Sequence, residues 1–272
     1  MTDKAQYDGQ AWPKLHFCSF RARAALDEWE SFQSWQRLNP EFELRFYDDR
    51  AMEEYVRQYV SVEEFAGFMA LPKMAAKVDV WRLLILFNEG GLYTDLDVEC
   101  LKPVKEWNGD PRTEVMLFVD SATSNGFGQH VLLAKPQNRI MHAALKLALE
   151  RCLDPRYRRL SDFQRVVKTT GPSLFTDACF IEVLHRSRKN VDQVGHEEKV
   201  NVTRFREAGG PEIAVLRHQE SEGILFRHAI AERQRIYAKY QVAHWIYGSG
   251  WRKVWISCRK LISKAIRFIG LR

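Results

Sequence analysis

The stretch FNEGGLYTDLDVECLKP, residues 87–103, decides the fold because an apolar helix ends within it and an acidic strand follows. A glycine pair at 90–91 follows the helical run KMAAKVDVWRLLILFNE at 73–89, and glycine readily adopts the left-handed conformation that ends a helix. The residues after the glycines have the pattern of a short strand that carries two acids, Asp95 and Asp97. Two acids in an otherwise apolar strand need a physical explanation.

Outward from this stretch, strands and helices alternate along the chain. Alternating apolar residues predict strands at 14–20, 42–48 and 114–120. Apolar residues at helical spacing predict helices at 24–38, 51–70 and 139–151, and a further helix after the Gly-Pro pair at 171–172. This order predicts an α/β fold, in which helices cover the faces of a sheet.

The two acids of the strand point to a divalent cation. Side chains two residues apart on a strand face the same way, about 6–7 Å apart, so Asp95 and Asp97 would share a face with Tyr93 and Glu99. Two like charges on a partly buried face cost free energy unless a positive charge lies beside them. Oxygen ligands favour a hard ion, Mn²⁺ or Mg²⁺, which commonly binds a phosphate substrate as well. The alternative is that both acids lie in solvent at a strand end.

The helix before the strand carries a second charged pair. Asp79 and Arg82 interrupt the run VDVWRLLILF at 78–87, which is otherwise apolar enough to be buried on most of its circumference. At a spacing of three residues they share one face of the helix. One interpretation is a buried ion pair that fixes the helix, although such pairs often add little stability over apolar residues. The other is that this face borders a polar ligand with hydroxyls or phosphates.

The distribution of charge argues against a nucleic-acid enzyme. The chain has 272 residues and a net charge of +6. Residues 251–272 hold seven Lys or Arg and no acid, which leaves 34 basic and 35 acidic residues in 1–250. The body of the protein therefore lacks the basic excess that a nucleic-acid enzyme needs on its surface.

The cysteines and the apolar runs indicate a reducing compartment. The five cysteines are scattered and form no CxxC pair, so no zinc or disulfide framework is evident. The first 14 residues, MTDKAQYDGQAWPK, are polar and lack the apolar core of a secretory signal. No apolar run approaches the length that spans a bilayer. We therefore expect a cytoplasmic protein.

The run KVDVWRLLILFNEGGLYTDLDVECLKP at 77–103 closely resembles the sugar-binding Asp-x-Asp region of glycosyltransferase family 32, which includes the Och1-like mannosyltransferases. It is similar, more distantly, to the catalytic domain of the large clostridial glucosylating toxins. Further segments resemble the family in the same order along the chain: PKLHF at 13–17, SWQRLNPEFELRFYDD at 34–49, TTGPSLFTDA at 169–178 and HWIYGSGW at 244–251.

The resemblance implies a fold and a reaction. The fold is expected to be of the GT-A type, a Rossmann-like α/β fold with added helices, with the catalytic domain at 1–250. The reaction is expected to be metal-dependent, retaining transfer of a sugar from a nucleotide diphosphate sugar to a glycan or a lipid-linked acceptor, in cell-surface polysaccharide synthesis. Relatives commonly have Trp shortly after the first-strand His, where this chain has Ser19 or Phe20. The choice between UDP and GDP donors therefore stays open.

The resemblance also implies roles for individual residues. Asp95 and Asp97, with Ser249, are expected to hold Mn²⁺ or Mg²⁺ against the phosphates of the leaving nucleotide. Asp79 and Arg82 are expected to hold the hydroxyls of the donor sugar, and with Asp97 they are the expected catalytic residues. The remaining donor-binding candidates are Tyr93, Asn125, His244 and Trp251.

Alternatives to these assignments remain open. His244 fits a contact with pyrophosphate and equally a packed, hydrogen-bonded core position. Asn125 precedes a glycine, and Asn-Gly is also an ordinary turn signal. His130 has no distinctive spacing and receives no role. Two other classes of protein also fit paired aspartates: a nucleotide-sugar-binding protein without turnover, and a metal enzyme acting on phosphate esters.

Residues 251–272, WRKVWISCRKLISKAIRFIGLR, predict the end of a closing loop followed by a basic amphipathic helix. Apolar residues that include Trp255, Leu261 and Phe268 fall on one stripe, and Lys or Arg occupy the remainder. A helix of this composition is typical of the interface of an anionic membrane. We therefore expect peripheral binding to the inner face of the membrane. The alternative is an ordinary last helix packed on the catalytic domain.

The basic helix predicts binding to anionic liposomes. Each basic side chain near an anionic surface contributes about 1 kcal/mol, weakened by salt. Full-length protein should therefore co-sediment with anionic vesicles at low salt, whereas a chain that ends after Lys253 should remain in the supernatant. Equal binding by the two chains, or binding by neither, would exclude the membrane role of residues 251–272.

Overall fold

The structure, a computed structural model, describes residues 14–18, 27–107, 112–120, 126–187, 191–193, 202–207, 212–216 and 221–239. Its strands are β1 (Lys14–Cys18), β2 (Glu43–Tyr47), β3 (Gly91–Thr94), β4 (Val98–Cys100), β5 (Thr113–Asp120), β6 (Gly126–Phe127), β7 (Val131–Ala134), β8 (Val191–Gln193), β9 (Val202–Glu207), β10 (Glu212–Leu216) and β11 (Phe226–His228). Its α-helices are α1 (Glu30–Leu38), α2 (Asp49–Tyr59), α3 (Val62–Met69), α4 (Met74–Glu89), α5 (Arg139–Leu153), α6 (Pro155–Arg158), α7 (Asp162–Arg165), α8 (Pro172–Ser187) and α9 (Ile230–Lys239).

Within these ranges, nine strands form one sheet and two form a smaller one. The order of the main sheet is β2-β1-β3-β7-β5-β10-β9-β8, with β6 paired to β5, and β4 pairs with β11 in the second sheet. Strands β1, β2 and β3 are parallel, as are β5 and β10, whereas β7 runs against both of its neighbours. The parallel strands therefore end at one common edge, and the α/β class expected from the sequence is confirmed.

The central strands are buried on both faces. In β3, Leu92 belongs to a core with Trp35 of α1, whereas Tyr93 belongs to a core with Trp81 of α4. The same alternation occurs in β5, β7 and β10, because successive side chains on a strand point to opposite faces. Helices on each face cover the sheet, which explains why these strands are nearly continuous apolar runs.

Helix α4 ends where the glycine pair predicted. The N–H of Gly90, at φ 65°, donates to the carbonyl of Leu86, and Gly91, at φ 98°, begins β3 directly. A Cβ on Gly91 would lie 2.5 Å from the carbonyl oxygen of Lys14 on β1. The glycine therefore allows β3 to begin beside β1 immediately after a buried helix.

The predicted acidic strand is wrong in one respect, because it is two strands in different sheets. β3 ends at Thr94, and Asp95 begins a turn in which the N–H of Val98 donates to the Asp95 carbonyl at 3.2 Å. Asp95 and Asp97 therefore do not share one strand face with Tyr93 and Glu99. The Tyr93 ring is in the core, and Glu99, on β4, pairs with Arg227 at 2.6 Å.

Other predicted boundaries shift by a few residues. The stretch predicted as one helix at 51–70 is two, α2 and α3, because Ser61 caps a new helix with a reciprocal hydrogen bond to Glu64. The predicted helix at 24–38 begins at Glu30 as α1, and its first residues lie partly outside the described ranges. Among the described helices, none combines the length and the apolar composition needed to cross a membrane.

The glycine at the start of β3 predicts a large loss of stability on substitution. Gly91→Ala combines an unfavourable left-handed alanine, about 1–2 kcal/mol, with overlap against the β1 backbone, a further 1–3 kcal/mol or so. Gly223→Ala is the matched control, because Gly223 also has a positive φ, 79°, but a Cβ added there would meet no atom within 4 Å. Urea unfolding should show the larger loss for Gly91→Ala. Equal losses would mean that the overlap with β1 is relieved without cost.

Candidate functional site

The turn that contains Asp95 and Asp97 lies at the edge where the parallel strands end. Strands β1, β3 and β5 all run toward this edge, and Asp95 directly follows the last residue of β3. Ligands of open α/β sheets bind in the crevice outside the carboxyl ends of such strands. Asp95 and Asp97 therefore lie where the fold is expected to bind a ligand.

Asp79 and Arg82 form the expected ion pair on α4. Arg82 Nη2 lies 3.2 Å from Asp79 Oδ1, and both side chains are more than nine-tenths buried. Thr170, at the end of a π-helical turn (Val166–Thr170), donates its hydroxyl to Asp79 Oδ2 at 3.1 Å. Arg82 Nη1 donates to the carbonyl of Gln129. The pair is thus fixed by hydrogen bonds from two other parts of the chain.

The environment of Asp79 disfavours its charged form. Burial raises the pKa of this carboxyl to about 6, against the opposing effects of the Arg82 guanidinium and the Thr170 hydroxyl, while the nearby Asp95 raises it further. A carboxyl with a pKa in this range changes charge near neutral pH when a ligand or an ion alters its surroundings.

Arg82 also connects α4 to the Asp95 turn. Its Nη1 lies 3.5 Å from Asp95 Oδ1, and its guanidinium carbon lies 4.4 Å from the centre of the Tyr93 ring. The Tyr93 hydroxyl donates to the same oxygen of Asp95. The structure therefore brings Asp79, Arg82, Tyr93 and Asp95 into one hydrogen-bonded group.

Asp97 is paired with an arginine from the far end of the described chain. Arg233 Nη1, on α9, lies 2.5 Å from Asp97 Oδ2, and the N–H of Ala229 donates to the Asp97 carbonyl at 2.7 Å. Burial, with the neighbouring Asp95, raises the pKa of Asp97, whereas Arg233 lowers it. The second aspartate is thus less exposed than the first, with 12% of its side chain accessible against 34%.

The two aspartates fit a divalent cation. Each uses one carboxylate oxygen in an arginine contact, Asp95 Oδ1 with Arg82 and Asp97 Oδ2 with Arg233. The other oxygen of each carboxylate has no hydrogen-bond partner among the residues that the structure describes. Asp95 lies close enough to Asp97 to raise the pKa of Asp97, and carboxylate oxygens of this kind are the ligands that Mn²⁺ and Mg²⁺ prefer.

Four predicted site residues lie outside the described ranges: Asn125, His244, Ser249 and Trp251. Their roles remain predictions, as does the amphipathic helix at 251–272. Three residues that the structure places in the site were not predicted from the sequence: Gln129, Thr170 and Arg233. Thr170 falls in the segment TTGPSLFTDA that carries the family resemblance, which was the available signal. Arg233 is one of three basic residues on the helix Ile230–Lys239, and no spacing distinguishes it.

The site is a buried acid–arginine group that opens at a sheet edge, and its described residues lie mostly in a region that matches a family model. Residues 27–114 match the family model described as "Glycosyltransferase sugar-binding region containing DXD motif". This range contains Asp79, Arg82, Tyr93, Asp95 and Asp97, and Asp95-Leu96-Asp97 is its DXD sequence. The resemblance to glycosyltransferases is confirmed for this part of the chain.

Two mannosyltransferases are among the curated relatives. The initiation-specific alpha-1,6-mannosyltransferase of Candida albicans is 39% identical over 77 residues, which are 28% of this chain and 20% of that protein. Inositol phosphoceramide mannosyltransferase 3 of Schizosaccharomyces pombe is 25% identical over 127 residues, 45% of this chain and 33% of that protein. The chain thus spans a third or less of the length of these two relatives.

Two solved glycosyltransferases superpose on parts of this chain. The PaToxG glycosyltransferase superposes with a TM-score of 0.48 at 20% identity, covering 66% of this chain and 72% of that one. The catalytic domain of alpha-toxin from Clostridium novyi superposes with a TM-score of 0.38 at 10% identity, covering 67% and 65%.

The raised pKa of Asp79 predicts a pH-dependent loss of stability. Between its ordinary value of 3.8 and about 6, the folded protein keeps a proton that the unfolded chain has released, so stability falls as pH rises through this window. The total change is on the order of 2–3 kcal/mol. Asp79→Asn should therefore gain stability relative to the wild type between pH 4 and pH 7 in denaturant titrations. Exposed Asp162→Asn is the control, and a difference for Asp79→Asn that stays constant with pH would contradict the assignment.

Proposed function

We propose that the protein is a GT-A type glycosyltransferase that moves a hexose, with mannose the first candidate, from a nucleotide diphosphate sugar. The observation that supports this most strongly is the position of Arg82, which is held between Asp79 and Asp95. That arrangement lies inside the matched sugar-binding region and at the ligand-binding edge of the sheet.

The gradient of exposure suggests how a donor would lie. Side-chain exposure is 9% at Asp79 and 7% at Arg82 and rises to 34% at Asp95. The sugar would bind at the closed end, where Asp79 accepts from hydroxyls and Arg82 donates to them. The diphosphate would then lie toward the open end, near Asp95.

The expected ion would be Mn²⁺ or Mg²⁺, held by the free oxygens of Asp95 and Asp97 with Ser249. When bound, it would neutralise the negative charge that develops on the leaving nucleotide diphosphate. Arg233 pairs with the other oxygen of Asp97 and so adds fixed positive charge at the same place. Arg82 similarly fixes Asp95, so both carboxylates are oriented before a ligand arrives.

Residues beyond the described ranges would complete the site. We assign a closing segment at 244–251, with His244 near the pyrophosphate, Ser249 at the ion and Trp251 donating its indole N–H to phosphate. Asn125 would contact the donor from the segment after β5. A segment that folds over the donor excludes the water that would otherwise hydrolyse it.

The acceptor we propose is a lipid-linked glycan or a glycolipid at the cytoplasmic face of a membrane. One relative is named for a lipid acceptor, inositol phosphoceramide. The basic amphipathic helix expected at 251–272 would bind this chain to the anionic surface of that membrane. Retention of anomeric configuration is part of the proposal and is tested by NMR of the product linkage.

A second function, hydrolysis of a phosphate ester, has one observation in its favour. Such enzymes need further His or carboxylate ligands beside paired aspartates, and His130, Glu222 and His228 cluster near the Asp95 turn. The two functions differ in product. A transferase releases nucleoside diphosphate and passes the sugar to an acceptor hydroxyl, or to water when no acceptor is present, whereas a phosphohydrolase releases a sugar phosphate or nucleoside monophosphate.

The donor is tested with a panel of UDP- and GDP-sugars, with Mn²⁺ present and absent. A ligand that binds only the folded state raises the melting temperature. We expect one nucleotide sugar, GDP-mannose being the first candidate, to raise the melting temperature only with Mn²⁺. The same donor should release nucleoside diphosphate on incubation with the protein. Release of nucleoside monophosphate or sugar phosphate instead would favour the second function.

Loss of the Asp97 charge should abolish transfer. Asp97→Asn keeps the shape of the side chain but removes the anionic oxygen that the proposed ion requires. Turnover with saturating Mn²⁺ should therefore fall by at least about a hundredfold, which is the effect expected when one strong electrostatic contact in a transition state is lost. Glu99→Gln is the matched control, since Glu99 lies two residues on and pairs with Arg227 at the surface. Near wild-type turnover by Asp97→Asn would refute the role of Asp97.

A further inference from the structure

Three potential metal ligands lie together beside the Asp95 turn, outside the group already described. His130 directly precedes β7, His228 is the last residue of β11, and Glu222 lies in the turn before β11. One ligand atom of each lies within 4.8 Å of one atom of each of the others. Neither Asp95 nor Asp97 belongs to this cluster, which we call the His-His-Glu cluster.

The backbone around the His-His-Glu cluster is fixed by hydrogen bonds to the Asp95 turn. The His130 carbonyl accepts from the N–H of Asp95 at 2.9 Å, and the residue after His228 donates to the Asp97 carbonyl at 2.7 Å. Glu222 Oε1 accepts from the N–H of His228 at 2.8 Å. The three side chains are therefore presented by backbone segments that hold one another in place.

The position of the His130 ring is also determined by its neighbours. Its ring packs edge-on against Phe226, with centroids 5.6 Å apart, and lies 4.4 Å from the His228 ring. A Cβ at Gly128 would lie 2.6 Å from His130 Cε1, so a residue with a side chain at 128 would displace the imidazole. Phe226 and Gly128 thus hold the ring against His228.

We propose that His130, Glu222 and His228 bind a divalent transition-metal ion such as Zn²⁺, at a site separate from the one expected at Asp95 and Asp97. Two imidazoles and one carboxylate are a common ligand set for Zn²⁺ with one position left for water or substrate. His228 Nδ1 lies 3.2 Å from Glu222 Oε2. Two atoms each about 2.1 Å from one ion at a tetrahedral angle are about 3.4 Å apart, so the observed separation needs little adjustment.

An ordinary hydrogen bond explains only part of the cluster. The His228–Glu222 contact is satisfied without an ion. That contact does not explain why the His130 imidazole lies beside it, since the ring nitrogens of His130 have no hydrogen-bond partner within the described ranges. All three residues are partly exposed, so an ion has access from solvent. An ion shared by His130 and His228 would tie the β4–β11 sheet to the main sheet on either side of the Asp95 turn.

The site is tested by metal binding to the full chain, independently of any glycosyl transfer. Protein stripped with a chelator is titrated with Co²⁺, whose visible absorption is intense in a four-coordinate nitrogen-containing site and weak in a six-coordinate oxygen site. We expect an intense spectrum that Zn²⁺ abolishes. Asp97→Asn should keep this spectrum, because it alters only the oxygen site.

Variants of the cluster separate the proposal from adventitious binding. His228→Gln and Glu222→Gln should each lose the intense Co²⁺ spectrum and one tightly bound Zn²⁺ per chain. His142→Gln, which alters an exposed histidine stacked on Phe87 of α4, is the matched control and should lose neither. Melting curves without metal show whether each variant is folded, and Glu222→Gln, which keeps both imidazoles, provides the test if His228→Gln is not.

Three results would overturn the proposal. The first is wild-type protein that binds no Zn²⁺ after stripping. The second is a folded His228→Gln or Glu222→Gln variant that retains the wild-type spectrum and stoichiometry. The third is a single bound ion that Asp97→Asn removes, since this would place the ion at the aspartates and leave the His-His-Glu cluster empty.

Discussion

The rest of the site depends on one buried guanidinium. Arg82 contacts Asp79 on its own helix, Asp95 in the turn after β3, the Tyr93 ring and the carbonyl of Gln129. A buried charge is stable only when it is paired and hydrogen-bonded. The burial of Arg82 therefore depends on all of these contacts together. Because the helix and the turn share this cation, the geometry of the sheet edge is fixed before any ligand binds. This lowers the free-energy cost of ordering the site when a ligand binds.

Two arginines from distant parts of the described chain orient the aspartates of the DXD sequence. Arg82 comes from α4, immediately before β3, whereas Arg233 comes from α9. Each occupies one oxygen of one carboxylate, and the other oxygen has no hydrogen-bond partner among the described residues. The like charges of Asp95 and Asp97 are thereby tolerated in a partly buried turn, and their free oxygens remain suited to a hard cation.

Local sequence predicted the features that short-range chemistry determines. The glycine pair stops α4, the three-residue spacing of Asp79 and Arg82 forms an ion pair, and alternating strands and helices form an α/β sheet. Local sequence did not predict the features that depend on contacts between distant parts of the chain. The chain leaves the main sheet after Thr94 because Asp95 and Val98 close a turn, while Ala229 from the far end of the chain binds the Asp97 carbonyl. No periodicity in residues 87–103 encodes those partners, and none identifies Arg233 or the second imidazole of the His-His-Glu cluster.

The most direct test of the account is a crystal structure with Mn²⁺ and an unhydrolysed nucleotide sugar, with the ion located by its anomalous scattering. We expect an anomalous peak within coordination distance of Asp95 and Asp97, and donor sugar hydroxyls within hydrogen-bond distance of Asp79 and Arg82. A nucleotide sugar bound away from this edge of the sheet, or an ion that touches neither aspartate, would contradict it.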